Sequence, residues 1–409
     1  SKIRIFGRGP IMNWIYLDNN ATTRPDPRVV EAMLPFLGDQ YANPSSVHLF
    51  GQQVRHAVET AREQVAGALG AKPRQIVFTG GGSEANTLAI RGTLASRPNK
   101  RHFITTAVEH DSVLRLAGQL EKEGYRVTYL GVDPLGRLDL AELEAALADD
   151  TALVSVMHAN NETGVIFPIE RIGQLTAARG VPLHVDATQT VGKLPVDTGK
   201  LPVQLLTLAA HKFHGPKGVG AVYVGKGVRL RPQVLGGHQE RDLRAGTENV
   251  PGIVGTGAAI QLAVTHLEEE NTRVRALRDR LEAGLLERIA IAHVNGDRTQ
   301  RLPNTINIGF EALEAEAVLM LLSKEGICVS SGSACSSGSL EPSHVLQAMG
   351  IDPRIAHGAV RFSLSRFTTD EEITRTLEIV PRAIERLQSL QPREVPGAAA
   401  LSPRGLATP

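Results

Sequence analysis

Lys212 stands just after an apolar run, Leu205-Leu206-Thr207-Leu208-Ala209-Ala210, and is followed by the turn-rich Gly215-Pro216-Lys217-Gly218. Short apolar runs bounded by Gly and Pro read as buried strands, so this amine sits where a strand gives way to a turn. A buried lysine is costly unless it is paired or used covalently. Desolvation lowers its pKa and makes it a nucleophile able to form a Schiff base. The bland alternative is a solvated loop lysine. A second apolar run, Val181-Pro182-Leu183-His184-Val185, closes on Asp186. A lysine and an acid on two strand ends suit a cofactor with an aldehyde and a protonatable ring nitrogen, as pyridoxal phosphate has. Its phosphate also needs a cradle. Gly80-Gly81-Gly82-Ser83 follows the strand-like Gln75-Ile76-Val77-Phe78 and precedes a helical pattern at Leu88, Ala89 and Ile90. Glycines let backbone N–H groups approach an anion, and a helix N-terminus favours negative charge.

A second kind of chemistry is suggested by Ser330-Ser331-Gly332-Ser333-Ala334-Cys335-Ser336-Ser337-Gly338-Ser339. Such a stretch cannot pack a core and reads as a mobile, exposed loop, which leaves its thiol free to react. Cys328 lies in the strand-like Ile327-Cys328-Val329 and reads as a small buried residue. These are the only two cysteines, so there is no disulfide framework, which fits a cytoplasmic protein.

The elements that must position these groups follow from apolar runs alternating with helical patterns between about residues 75 and 225. Runs at 103–106, 126–130, 151–158, 182–186 and 205–209 are separated by patterns at 112–123, 139–147 and 169–179. That alternation predicts an α/β fold with a mainly parallel, doubly wound sheet, whose ligands bind beyond the carboxyl ends of its strands. Ser83, His110, Asn161, Asp186 and Lys212 all fall at such ends. Helical patterns are also expected at 27–37, 47–69, 252–289 and 371–390, and a smaller α/β unit between 305 and 365. The expected organisation is a leader or added extension at 1–11 and an N-terminal segment, 12–27, packing with the small domain. A large cofactor-binding domain at 28–262 and a small domain at 263–391 follow, the latter carrying a mobile cysteine loop at 329–342. Residues 392–409 read as a disordered tail. The 409 residues are 42% hydrophobic with a net charge of +1, so no nucleic-acid attraction is expected, and no apolar run is long enough to span a bilayer. The histidines and cysteines lack metal-ligand spacing.

Taken together, several motifs make the chain resemble the cysteine desulfurases of the NifS/IscS type, within the class V aminotransferases, and most of all the NifS branch. They are Tyr16-Leu17-Asp18-Asn19-Asn20-Ala21-Thr22-Thr23, Val108-Glu109-His110, His158-Ala159-Asn160-Asn161-Glu162-Thr163-Gly164, His184-Val185-Asp186-Ala187-Thr188-Gln189, and His211-Lys212. To these are added Arg244-Ala245-Gly246-Thr247-Glu248-Asn249, Ser331-Gly332-Ser333-Ala334-Cys335 and Val360-Arg361-Phe362-Ser363-Leu364-Ser365. The resemblance spans about residues 14–390. It implies the pyridoxal-phosphate transferase fold of type I and conversion of L-cysteine to L-alanine. The sulfur would pass as a persulfide to Cys335 and on to an iron–sulfur cluster scaffold protein, in nitrogenase or other cluster assembly.

The resemblance also implies roles. Lys212 would hold the cofactor and move protons, Asp186 would pair with the ring nitrogen, and His110 would stack on the ring. Gln189 would bond the ring hydroxyl, with Asn161 near that oxygen and the substrate carboxylate. Ser83, His211 and the Gly82 backbone would hold the phosphate. Thr247 would reach the phosphate of a neighbouring subunit, which implies a homodimer. Arg361 would clamp the substrate carboxylate, a task that suits a planar bidentate donor. The chain departs from many relatives at Ala209, two residues before His211, where they carry a serine. The competing readings are an aminotransferase or a lyase for selenocysteine or cysteine sulfinate, which need no thiol nucleophile, and a non-catalytic sulfur-trafficking partner, which would not need Lys212, Asp186 and Arg361.

Overall fold

The computed structural model describes residues 14–331 and 342–390. The 1–11 extension, the 392–409 tail and Cys335 lie outside the described residues. The chain opens with β1 (Ile15–Tyr16), α1 (Pro27–Leu37) and α2 (Leu49–Ala68). Then come β2 (Ile76–Thr79), α3 (Gly82–Ala95), β3 (His102–Thr106), α4 (Asp111–Lys122) and β4 (Arg126–Leu130). The alternation continues through α5 (Leu140–Ala146), β5 (Thr151–Met157), α6 (Ile169–Ala178), β6 (Leu183–Asp186), β7 (Leu205–Ala209) and β8 (Gly220–Val224).

These strands form a seven-stranded sheet in the order β2-β8-β7-β6-β5-β3-β4. The sheet is parallel except for β8, which runs antiparallel to both β2 and β7. Every residue of β5 and β7 is buried, as expected of strands covered on both faces, and this is why they read as continuous apolar runs. One face carries α1, α2, α6 and the helix that follows the sheet; the other carries α3 and α4.

Beyond the sheet, α7 (Val250–Thr265) bends into α8 (Leu267–Glu269), a π turn (Glu270–Val274) and α9 (Arg275–Arg288). The chain continues with β9 (Ala292–Val294), β10 (Thr305–Phe310), α10 (Ala315–Lys324) and β11 (Ile327–Cys328). The last elements are α11 (His344–Ala348), α12 (Pro353–Ala356), β12 (Ala359–Ser363) and α13 (Asp370–Leu390). Strands β12-β10-β9 form an antiparallel sheet packed by α9, α10 and α13 around a core of its own.

Ile15 and Leu17 bury in that second core, and β1 pairs in parallel with β11. Because β11 is only two residues long, Cys328 is half-buried rather than sealed in a strand. Burial and the nearby Asp18 push its thiol up.

Candidate active site

Four parallel strands deliver their carboxyl ends to one cavity of about 320 Å³. His110 follows β3, Asn161 follows β5, Asp186 ends β6, and Lys212 lies in a single 3₁₀ turn (Ala210–Lys212) after β7. The helix α3 enters with Gly82 and Ser83 at its N-terminus, and Arg361 arrives from β12 of the smaller sheet. The structure brings all of these groups to the wall of one cavity.

The Lys212 amine donates to the carbonyl of Asn20 at 2.5 Å and to that of Ala21 at 2.9 Å. Burial, with Arg361 and Lys193 adding positive charge nearby, pulls it down to about 7. It is therefore close to half neutral near neutral pH, the state in which an amine attacks an aldehyde.

Asp186 is 7% exposed, and both its carboxylate oxygens are held. One accepts from the Asn86 amide at 2.8 Å and the other from the Thr188 N–H at 2.9 Å. Asn86 is itself fixed: its carbonyl accepts from the Thr207 hydroxyl at 2.6 Å. Held this way, the carboxylate keeps one orientation, as a partner for a protonated ring nitrogen must.

His110 caps α4, and its Nδ1 accepts from the Ser112 N–H at 3.1 Å. Burial lowers the imidazole, so it is a neutral, flat ring. His211 is also neutral, pulled down to about 4 by burial, and its Nδ1 meets the Thr22 hydroxyl at 3.1 Å.

Arg361 is 2% exposed. It donates to the Asn161 carbonyl at 2.9 Å and to the Asp18 carboxylate at 2.9 Å. Its Nε has no partner among the described residues. Two other buried groups beside the cavity are unpartnered there too, the Thr188 hydroxyl and the Gln189 side-chain carbonyl; the Gln189 amide donates to Asn20 O at 3.0 Å.

These orphans test whether pyridoxal phosphate fits. A helix N-terminus begun by Gly81 and Gly82 meets the free Thr188 hydroxyl; a Cβ on Gly82 would lie 3.5 Å from that oxygen and 3.4 Å from the Ala209 Cβ. Backbone donors, a free hydroxyl, a fixed carboxylate and a neutral amine are the set that a phosphate, a pyridine nitrogen and an aldehyde require. The residues fit the group.

Two expected residues are not among those lining this cavity. Thr247 is exposed and does not line it. Cys335 lies outside the described residues, but both ends of its segment meet the cavity wall. Ser330 bridges to Arg361 through paired backbone hydrogen bonds. On the far side, Ser343 donates to the buried Glu162, and the His344 imidazole meets the Glu109 carbonyl at 2.9 Å.

Sequence reasoning missed Asn20, Asn86, Asp18, Thr188 and His344. Asn20 acts through its carbonyl, which every residue type has. Thr188 lay inside a motif already quoted, two residues past Asp186, and Asn86 follows Ser83 by one helical turn; that spacing was the available signal.

Comparisons with known proteins agree with this geometry. The aminotransferase class-V family matches residues 15–376. The chain is 58% identical to cysteine desulfurase 1 of Trichormus variabilis over 381 residues, 93% of this chain and 95% of that one. It is 52% identical to the cysteine desulfurase NifS of Azotobacter vinelandii over 379 residues, 92% of this chain and 94% of that one. Among solved structures, a NifS-like protein superposes with a TM-score of 0.86 at 41% identity, covering 91% of this chain and all of that one. A structure of SspA in complex with cysteine superposes at 0.77 and 36% identity, covering 87% and 99%.

Proposed function

The chain belongs to the aminotransferase class-V family as one of its cysteine desulfurases, and from that premise we propose how its own residues carry the reaction. The observation that carries the reading is the meeting of Lys212, the fixed Asp186 carboxylate and Arg361 in one cavity. L-cysteine is converted to L-alanine, and its sulfur moves to an enzyme thiol. The balance is simple: the substrate's C–S bond breaks, a proton takes the sulfur's place on Cβ, and the thiol becomes a persulfide.

When bound, pyridoxal phosphate supplies an electron-accepting ring that acidifies the substrate's Cα–H. Asp186, oriented by Asn86 and Thr188, would keep the proton on the ring nitrogen. Ser83, His211 and the Gly82 N–H, with the Thr188 hydroxyl, would hold the phosphate. His110 would stack on the ring, with Gln189 and Asn161 available to its hydroxyl. Arg361 binds the substrate carboxylate in bidentate fashion, which points the Cα–H at one face. The Lys212 amine, neutral above about 7, takes that proton and later returns one.

Cys335 is the sulfur acceptor. The described residues that flank its segment, Ser330 and His344, both contact the cavity wall. From Cys335 the sulfur passes to an iron–sulfur cluster scaffold protein.

We further assign a homodimer. Leu34 and Leu37 on α1, Tyr41 and Val47 on the connection that follows, and Leu49 at the start of α2 are all more than half exposed. Such a run of exposed apolar side chains marks an association surface. Thr247, outside its own cavity, would then serve its neighbour's phosphate.

The test is direct. The purified protein is incubated with L-cysteine and a thiol reductant, and alanine and sulfide are quantified beside Cys335→Ala. Equimolar products from the wild type, with the variant inactive but still coloured by cofactor, establish both activity and acceptor. Equal turnover by both would remove Cys335 from the mechanism and favour a lyase.

A further inference from the structure

A second lysine lies behind the first. Lys193, on the connection between β6 and β7, is 5% exposed. Its ammonium donates to the Gln189 carbonyl at 3.1 Å and to the carbonyl of Lys212 itself at 3.4 Å. Its own carbonyl accepts from Asn271 at 2.8 Å, which ties it to the π turn. No step of the proposed mechanism uses it.

We propose that Lys193 is a positioning residue for Lys212: its buried ammonium grips the Lys212 backbone from behind and sets a positive charge beneath the reactive amine.

The charges around the two amines define what this does. Facing Lys212 from the cavity side are Asp186, Arg361 and Asp18, with His110 and His211 neutral. Facing Lys193 from the other side is Glu270 on the π turn, 4% exposed, with one carboxylate oxygen unpartnered among the described residues. The Arg366 backbone N–H bonds that carboxyl, while its guanidinium is taken up by Asp26 at 2.8 Å. His214 nearby is kept neutral by burial.

Burial raises the Glu270 carboxyl to about 7 and lowers the Lys193 amine to about 8, and each opposes the other's shift. Among the described residues no ion pair within 4 Å joins the two, and near neutral pH the Lys193 amine keeps most of its charge while Glu270 has lost part of its own. A neighbouring cation is an established means of lowering a lysine's basicity. Here it adds to burial and to Arg361, the larger causes at Lys212. The connection also has a mechanical side. Gln189, Lys193, Lys212 and Asn271 join the strand ends to the helix leading into the smaller unit, so the amine's field depends on how the two units sit.

This inference rests on the reading that Lys212 takes up pyridoxal phosphate. The experiment is a pH titration of the visible absorbance of the cofactor-loaded full chain, for wild type, Lys193→Met, Lys193→Gln and Lys193→Arg. Removing the charge should raise the midpoint by roughly half a pH unit or more in both neutral variants, and the arginine should restore it. The Gln variant keeps a donor to the same carbonyls and guards against a folding defect in the Met variant. A wild-type midpoint in Lys193→Gln, or an equal shift in Lys193→Arg, overturns the proposal. No visible band in the wild type, or the same band in Lys212→Ala, defeats the reading of Lys212 instead.

Discussion

Arg361 and Asp18, 343 residues apart in the chain, meet at 2.9 Å in the cavity wall. The arginine is buried and its side chain is 3% exposed, while the aspartate's is 21% exposed. The guanidinium that would receive a substrate carboxylate is therefore already paired with a carboxylate of the chain. Substrate must share the fork or displace Asp18, and Asp18 is the partner that water can take back.

Asp18→Asn should loosen this competition. Cysteine would bind more tightly, with KM falling severalfold, while Arg361→Lys should raise KM by at least about tenfold because the bidentate fork is lost. Steady-state alanine formation over a range of cysteine concentrations separates the two.

Asn86→Ala removes the donor that holds Asp186 and strands the Thr207 hydroxyl. The expected cost is about 1–3 kcal/mol in cofactor binding, roughly 5- to 150-fold in its dissociation constant. Equilibrium dialysis against pyridoxal phosphate reads it; an unchanged constant would mean that Asp186 needs no second anchor.

Ala209→Ser tests the phosphate cradle. The Ala209 Cβ lies within 3.4 Å of where a Gly82 side chain would begin, so a hydroxyl there adds one donor beside the α3 N-terminus. Cofactor retention should improve by about 1 kcal/mol, close to fivefold. The same dialysis decides, and no change would place the phosphate elsewhere.

Glu109 supplies a pH signature. Burial raises its carboxyl from the ordinary 4.5 to about 8, although the Met157 N–H and the Thr106 hydroxyl oppose the rise. The folded chain thus holds a proton that the unfolded chain releases between about 4.5 and 8. Its contribution to stability is complete below 4.5 and lost as pH rises through 8. Glu109→Gln should flatten that decline, as read by denaturant unfolding at several pH values. A profile parallel to the wild type would show that the carboxyl is ionised when folded.

Much of this was legible before any coordinates, for a physical reason. Parallel strands buried on both faces must be apolar throughout, so a polar residue closing such a run, like Asp186, or just past it, like Lys212, is conspicuous. What escaped were contributions without a side-chain signature. Asn20 holds Lys212 with its backbone. The reversed direction of β8 leaves no trace, because an antiparallel strand in the middle of a sheet is as apolar as its neighbours. Cys328 was read as buried because β-branched neighbours suggest a strand, yet only its pairing with β1 defines one.

The pairing of β1 with β11 bears on how the protein is made. Ile15 has Ile327 as its partner, so a ribosome working at roughly 5–20 residues per second makes the second strand on the order of tens of seconds after the first. During that interval Ile15 and Leu17 have no core to enter, and the carbonyls of Asn20 and Ala21 that seat the Lys212 amine have no strand to anchor them. The amine and the arginine therefore come together only after β11 and β12 have been made. A chain that stops short of them carries no finished site and cannot begin releasing sulfide.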